Sequence, residues 1–154
     1  MKHAADTRVL HRLCRLALVV EMPELKWNDH EVVECLGVLP ETDEFFASHY
    51  FKKSFGQIRL ELTIWQNESL VALSLFDATG TSAFLDLDFI VRDRIEFRNE
   101  TKFASLRFHD AVLVSSRFWM IYDEVKHDLF DAAKIPTKLG FELSTYPKLE
   151  FKVF

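Results

Sequence analysis

Residues 57–65 read QIRLELTIW, in which apolar side chains occupy every second position. Successive side chains of a strand point to opposite faces of a sheet, so this period of two predicts a β-strand with one apolar face. Asn67 and Glu68 supply a turn, and the residues after it repeat the alternation. We therefore expect an antiparallel hairpin whose apolar face pairs Leu60 with Leu75, Leu62 with Leu73 and Ile64 with Val71.

The same apolar face extends across the next turn. Residues 77–81 have the composition of a turn, and the stretch after them alternates again. A slip of one residue would move every apolar side chain to the other face, so the pattern fixes which side chains lie together. The expected pairs of this third strand are Val71 with Leu87, Leu73 with Leu85 and Leu75 with Ala83.

Three more turns are expected farther along the chain, at residues 92–94, 109–111 and 145–147. The strand after the second of them is expected to run on to Tyr122, and a short helix is expected within residues 124–135. About eight strands joined by short turns are typical of a meander that closes into a sandwich or a barrel.

The N-terminal part has helical periodicity instead. Residues 8–20 place their basic and apolar side chains on opposite faces of a helix. Asn28 is suited to begin a second helix as its N-cap, and Gly37 is suited to end it.

A chain of 154 residues has the size of one domain. We interpret residues 1–154 as a single α+β domain, mainly antiparallel β, with one or two N-terminal helices. Residues 22–154 are the compact β-rich body. An alternative interpretation is that translation starts at Met22, in which case residues 1–21 are a helical extension.

The composition excludes several classes of protein. Hydrophobic residues make up 49% of the chain, which argues against intrinsic disorder. The net charge of −5 argues against nucleic acid as a partner, and no apolar stretch is long enough to span a membrane. Cys14 and Cys35, without an export signal, indicate reduced thiols in a cytoplasmic protein.

No pattern in the sequence indicates a catalytic nucleophile, a phosphate-binding loop or a zinc site. The dipeptide His109-Asp110 resembles the one that names a family of metal-dependent phosphohydrolases. Here it is expected at a strand turn, where Asp is common for structural reasons. The polar cluster in residues 123–128 suits the solvated face of a helix as well as it suits a metal. We therefore expect neither a metal nor another cofactor.

Asp86 and Asp88 are the most prominent polar pair. They lie two residues apart in a predicted strand, so both point to the face opposite the apolar rows, roughly 7 Å apart at the backbone. That face also carries Trp65. The expected register places Asp86 beside Ala72 and Thr63, and Asp88 beside Leu70 and Trp65.

Trp119 and Arg117 share one side of the strand that is expected to end at Tyr122. A strand that is apolar on both sides is normally central and buried. The alternative is an exposed aromatic patch with an arginine, which is the composition of binding hot spots. The candidate binding residues are therefore Trp65, Asp86, Asp88, Arg117 and Trp119.

These observations favour a non-enzymatic protein that interacts with another protein. One concrete form is an immunity-type protein that blocks a toxin, in which an acidic surface meets a basic partner. The first alternative is a β domain that binds a small ligand or a carbohydrate in a pocket. The second is a hydrolase that uses Asp86 and Asp88 as paired carboxylates.

Overall fold

A computed structural model describes residues 24–115, 117–136 and 138–154. The helix expected in residues 8–20, the extension over residues 1–21 and Cys14 lie outside this part of the chain. Two helices and nine strands make up the secondary structure of the described residues. They are α1 (Asp29–Leu36), β1 (Glu41–Thr42), β2 (Ser48–Phe55), β3 (Ile58–Trp65), β4 (Leu70–Phe76), β5 (Ala83–Val91), β6 (Ile95–Glu100), β7 (Phe103–Val114), α2 (Phe118–Phe130), β8 (Leu139–Tyr146) and β9 (Glu150–Val153).

All nine strands belong to one antiparallel sheet in the order β1-β2-β3-β4-β5-β7-β8-β9, and β6 also pairs with β7. This confirms the predicted α+β class with mainly antiparallel structure. The predicted closure into a sandwich or a barrel is wrong, because the described strands form a single open sheet that ends at β1 and β9. Periodicity reports which side chains share a face, but it carries no information on whether a sheet closes.

The first hairpin has the predicted register, with Leu60 opposite Leu75, Leu62 opposite Leu73 and Ile64 opposite Val71. The next pairing differs from the prediction by two residues, since Leu75 lies opposite Leu85 and Val71 opposite Phe89. An irregularity between Leu75 and Phe76 accompanies this shift. Because side chains alternate with a period of two, a shift of two residues keeps every side chain on its predicted face.

The hairpin expected at residues 92–94 does not form, because β7 is long enough to pair with two strands on one side. Its first half pairs with β6, and residues 111–114 pair with β5. A β-bulge at His109 and Asp110 separates the two halves, and Asp110 has a positive φ of 55°. The turn that was expected at residues 109–111 is therefore this bulge, inside one continuous strand.

The strand expected to run on to Tyr122 is also wrong, because α2 begins at Phe118. Apolar residues in this segment fit a period of two over its first five positions. They also fit helical spacing, since Phe118, Tyr122, Val125 and Leu129 pack in one cluster. A short apolar segment that satisfies both periods cannot be assigned by periodicity alone.

We call the sheet face with the larger apolar cluster the core face and the opposite one the outer face. The core face carries the predicted rows of β3 and β4 and is covered in part by α1. As predicted, α1 begins after Asn28, whose side chain accepts a hydrogen bond from the His30 amide, and ends at Gly37 in the left-handed conformation. Its buried residues Val32, Cys35 and Leu36 join the core cluster.

Candidate protein-binding face

The outer face is divided into three parts, and α2 covers the first of them. Leu70 and Ile90 are fully buried there against Phe118 of the helix. Arg92 lies at the other end of α2, where its guanidinium donates a hydrogen bond of 3.5 Å to the carbonyl of Leu129. It also donates one of 2.9 Å to the carbonyl of Ile135, in the segment after the helix. The same guanidinium pairs with Asp110 at the bulge, at 2.5 Å. The helix is therefore fixed to the sheet at both ends.

The second part lies on β6 to β9 and consists of charges that neutralise one another. Glu142 is buried and accepts a hydrogen bond of 2.7 Å from Ser105. Its carboxylate also lies 3.4 Å from Arg107 and 3.7 Å from Arg98. Burial by itself would raise the pKa of Glu142, but the hydrogen bond and the two guanidinium groups together lower it. The charged side chains of this part of the face therefore pair mainly with one another, and few of them are available to a binding partner.

The third part, which we call the acidic strip, is the outer face of β2 to β5 below α2. The strand register gives its rows: Tyr50, Thr63, Ala72 and Asp88 lie side by side in one row, and Lys52, Glu61, Ser74 and Asp86 in the next. The strip ends at Arg59, Phe76 and Phe84. Phe84 is 59% exposed.

The neighbours of the two predicted aspartates follow from the shifted register. Asp86 lies beside Ser74 rather than Ala72, and Asp88 lies beside Ala72 rather than Leu70. Both aspartates nevertheless stay on the outer face, as predicted, because the shift is an even number of residues.

Asp86 and Asp88 have different surroundings. Asp86 accepts a hydrogen bond of 2.6 Å from the Ser74 hydroxyl. The side-chain carboxylate of Asp88 makes no hydrogen bond or ion pair with the residues that the structure describes. Partial burial raises the pKa of Asp88, and the negative charge of Asp86 raises it further. Asp88 is thus a partly buried carboxylate for which the described part of the chain provides no counter-ion.

The two cations of the strip do not compensate Asp88. Lys52 lies on β2, three strands away from β5. Arg59 is used locally, because it pairs with Glu61 at 2.9 Å and stacks over the ring of Phe76 at 4.3 Å. Tyr50 has a raised pKa, first because it is partly buried and then because the Glu61 carboxylate is near. Sequence reasoning missed Tyr50 and Glu61 as members of this surface. The alternation of β3 contained the signal for Glu61, which lies between Leu60 and Leu62, whereas Tyr50 is flanked by His49 and Phe51 and has a weaker signal.

The structure brings Trp65 and Trp119 together, although not through the strand that was expected. Trp119 lies in α2, and its ring meets that of Trp65 edge-on at 5.1 Å between centroids. Trp119 is still 45% exposed, so the pair presents an aromatic ridge beside the acidic strip. Arg117 is exposed at the N-cap position of the same helix. Of the five candidates, Trp65, Asp86 and Asp88 lie on the outer face, and Trp119 packs onto it.

An open cleft of about 420 Å³ lies at the β7 bulge, away from the acidic strip. Most of its polar side chains already have partners. Asp110 pairs with Arg92, Asp93 pairs with Arg94 at 2.8 Å, and His109 lies 2.6 Å from Glu96. The cleft is lined by Asp93, His109, Asp110, Lys138, Leu139, Gly140 and Phe154.

The described residues contain no group of three or more His, Cys, Asp or Glu side chains arranged to hold a metal ion. Within the same part of the chain, neither helix is long and apolar enough to cross a membrane. The acidic residues of α2 that were weighed as metal ligands lie on its surface, where Asp123 pairs with Lys126 and Asp128 with Lys134.

Comparisons with known proteins give one informative result. No protein-family model matches the chain, and no curated protein matches it. A solved structure with a similar fold is described as a contact-dependent growth inhibition toxin–immunity protein complex from Klebsiella pneumoniae 342. One chain of it aligns with a TM-score of 0.60 and 9% sequence identity, over 85% of this chain and 96% of that chain. At this level of identity the likeness shows the fold alone.

Proposed function

We propose that this protein is an immunity-type protein that binds another protein, a toxin, through the acidic strip and the neighbouring aromatic ridge. The observation that carries the proposal is the asymmetry of the outer face. One part is covered by α2, and one part is neutralised by its own ion pairs. Within the described residues, the acidic strip is the part that combines a carboxylate lacking a donor with an exposed aromatic side chain. Aromatic side chains beside charged groups are typical of protein-binding surfaces.

The similarity in fold to a chain of a toxin–immunity complex supports this proposal independently of the surface. That complex is a protein–protein assembly, and the alignment covers nearly all of its chain. An immunity function requires no catalytic residues, because steric and electrostatic occlusion of the toxin is sufficient. The acidic character of the chain, with a net charge of −5, is suited to a basic partner.

The proposal is tested by capture followed by a growth assay. The affinity-tagged chain is used to capture proteins from its native host at low salt, and each captured protein is then expressed alone in a heterologous bacterium. We expect one captured protein to stop growth when expressed alone and to lose that effect when this chain is co-expressed. Capture of no such protein, or capture of proteins that leave growth unchanged, would contradict the immunity function.

Two charge-reversal variants locate the binding surface. Asp86→Lys changes the acidic strip, and we expect it to weaken binding at least about tenfold because it repels a basic partner. Glu100→Lys is the matched control, because Glu100 is an exposed carboxylate on β6, outside the strip. Circular dichroism of both variants checks that they fold. Equal loss of binding in the two variants would argue against the acidic strip as the binding surface.

The cleft at the β7 bulge favours a second function, the binding of a small ligand. A volume of about 420 Å³ is within the range of ligand pockets in proteins. A ligand that occupies it should perturb the amide resonances of His109 and Gly140 in a nuclear magnetic resonance titration. Screening a library of small metabolites in this way supports the second function if a compound perturbs both residues in a saturable manner. A screen in which no compound does so would count against it.

A further inference from the structure

Asp88 is the one outer-face carboxylate of β5 for which the described residues provide no donor. Its strand neighbour Ala72 and its other neighbour, Val114, are apolar. A carboxylate that is partly removed from water without a hydrogen bond or a cation opposes folding. The second carboxylate, Asp86, lies two residues away on the same face and increases this cost. Among the described residues, no positive charge therefore lies at this position.

The surface beside Asp88 is shaped to receive a long side chain. The row that contains Asp88 continues across β4 and β3 with two small residues, Ala72 and Thr63. Larger side chains flank this low floor, with Trp65 in the row towards α2 and Tyr50 at the far end of the same row. An aliphatic stem about 6 Å long would lie across the floor, with its charged end at Asp88.

We infer that the toxin inserts an arginine side chain here, with its stem across Ala72 and Thr63 and its guanidinium at Asp88. This inference rests on the proposed function and specifies the chemistry of the partner. Arginine is chosen over lysine because a planar guanidinium pairs with both oxygens of a carboxylate, whereas an ammonium acts as a point charge. Asp86 lies two residues from Asp88 on the same face, and Tyr50 lies at the far end of the row, beyond the stem.

A small probe tests the site without the partner. N-acetyl-L-arginine amide is titrated into the isotope-labelled chain, and the amide resonances of Ala72 and Asp88 and the Trp65 indole resonance are followed. We expect saturable shifts at these positions with a dissociation constant of roughly 1–10 mM, which is typical of a single side chain. N-acetyl-L-lysine amide should bind at least about threefold more weakly. Equal affinity for the two probes, or no saturable shift, would overturn the arginine assignment.

The variant Asp88→Asn has nearly the same shape and lacks the charge, and Glu100→Gln is the matched control. We expect Asp88→Asn to abolish the probe shifts and to weaken binding of the captured toxin at least about tenfold, with a smaller dependence on salt. Its free energy of unfolding at neutral pH should be unchanged or higher, because the folded state no longer holds a carboxylate with a raised pKa. A loss of binding that is accompanied by a loss of stability would indicate a structural role instead.

Failure of this inference is distinguishable from failure of the proposed function. If wild type neutralises a toxin and Asp88→Asn does so equally well, the arginine site is refuted and the immunity function stands. If no toxin is found but the arginine probe still binds at Asp88 and not in Asp88→Asn, the function is refuted and the cation site stands.

Discussion

The ion pair between Arg92 and Asp110 should account for a substantial part of the stability of this protein. The side chain of Arg92 is only 4% exposed, and that of Asp110 is 23% exposed. Arg92 joins the corner after β5 to the bulge of β7 and to the segment after α2. We choose the variant Asp110→Asn, because asparagine tolerates the positive φ of 55° at this position and the substitution therefore removes only the charge.

The expected loss follows from the burial of the two partners. Removal of one member of a fully buried ion pair costs about 3–5 kcal/mol, because the other charge stays buried without compensation. Water reaches Asp110, and Arg92 keeps its hydrogen bond to the Ile135 carbonyl, so the loss should lie below that range. We expect Asp110→Asn to lower the free energy of unfolding by about 2 kcal/mol.

Urea unfolding, followed by tryptophan fluorescence and by circular dichroism, measures this loss. The matched control is Asp93→Asn, because Asp93 pairs with Arg94 on the surface, where both side chains are at least 40% exposed. That pair should contribute no more than about 0.5 kcal/mol. If Asp110→Asn loses less than about 0.5 kcal/mol, or no more than Asp93→Asn, the structural role assigned to Arg92 is wrong.

Three further predictions concern the fold. The pKa of Glu142 is lowered in the folded state, so its carboxylate stabilises the fold fully above the unfolded pKa, and this stabilisation is lost as the pH falls through the folded pKa. Glu142→Gln should therefore flatten the loss of stability in acid, which urea unfolding at pH 3–7 measures. Gly140→Ala should lower the melting temperature, because the added methyl group would overlap the ring of Phe154. In a Phe154→Ala background most of that loss should disappear, and a loss that persists would place its cause in the backbone instead. Burial raises the pKa of the Cys35 thiol to about 11. In a Cys14→Ser variant, Cys35 of the folded protein should therefore react with a disulfide reagent at pH 8 at least about 100-fold more slowly than Cys35 of the protein unfolded in urea. Similar rates in the two states would show that the thiol is accessible in the folded protein.

The extent to which this fold is predictable from its sequence depends on the element. The β3–β4 hairpin is predictable in full, because its alternation is unbroken on both sides of a short turn. The β4–β5 pairing is predictable in its face and not in its register, because the irregularity at Leu75 and Phe76 changes the length of the connection. Bulges depend on backbone geometry at one residue, which hydrophobic patterning does not report.

The region from β5 to α2 is the least predictable, and the reason is its long-range pairing. Residues 92–94 look like a hairpin turn, but the strand that follows them pairs with β7 and not with β5. The buried side chain of Arg92 pairs with Asp110 at this corner, and nothing in the local sequence identifies an arginine that will be buried. The assignment of α2 fails for a related reason, since Phe118 is buried by Leu70 and Ile90, which are distant in sequence.

In the candidate site, the face of each carboxylate is predictable from the sequence, but its polar neighbours are not. The face on which Asp86 and Asp88 lie is predictable, because it depends only on whether a position is odd or even along the strand. That the described residues provide a donor for Asp86 and none for Asp88 depends on the register, which places Ser74 beside Asp86 and Ala72 beside Asp88. With the register predicted from the sequence, Asp86 would have been the residue beside Ala72. The distinction that makes Asp88 the focus of the binding proposal therefore comes from a shift of two residues, which leaves the hydrophobic pattern unchanged and changes the polar neighbours of each carboxylate.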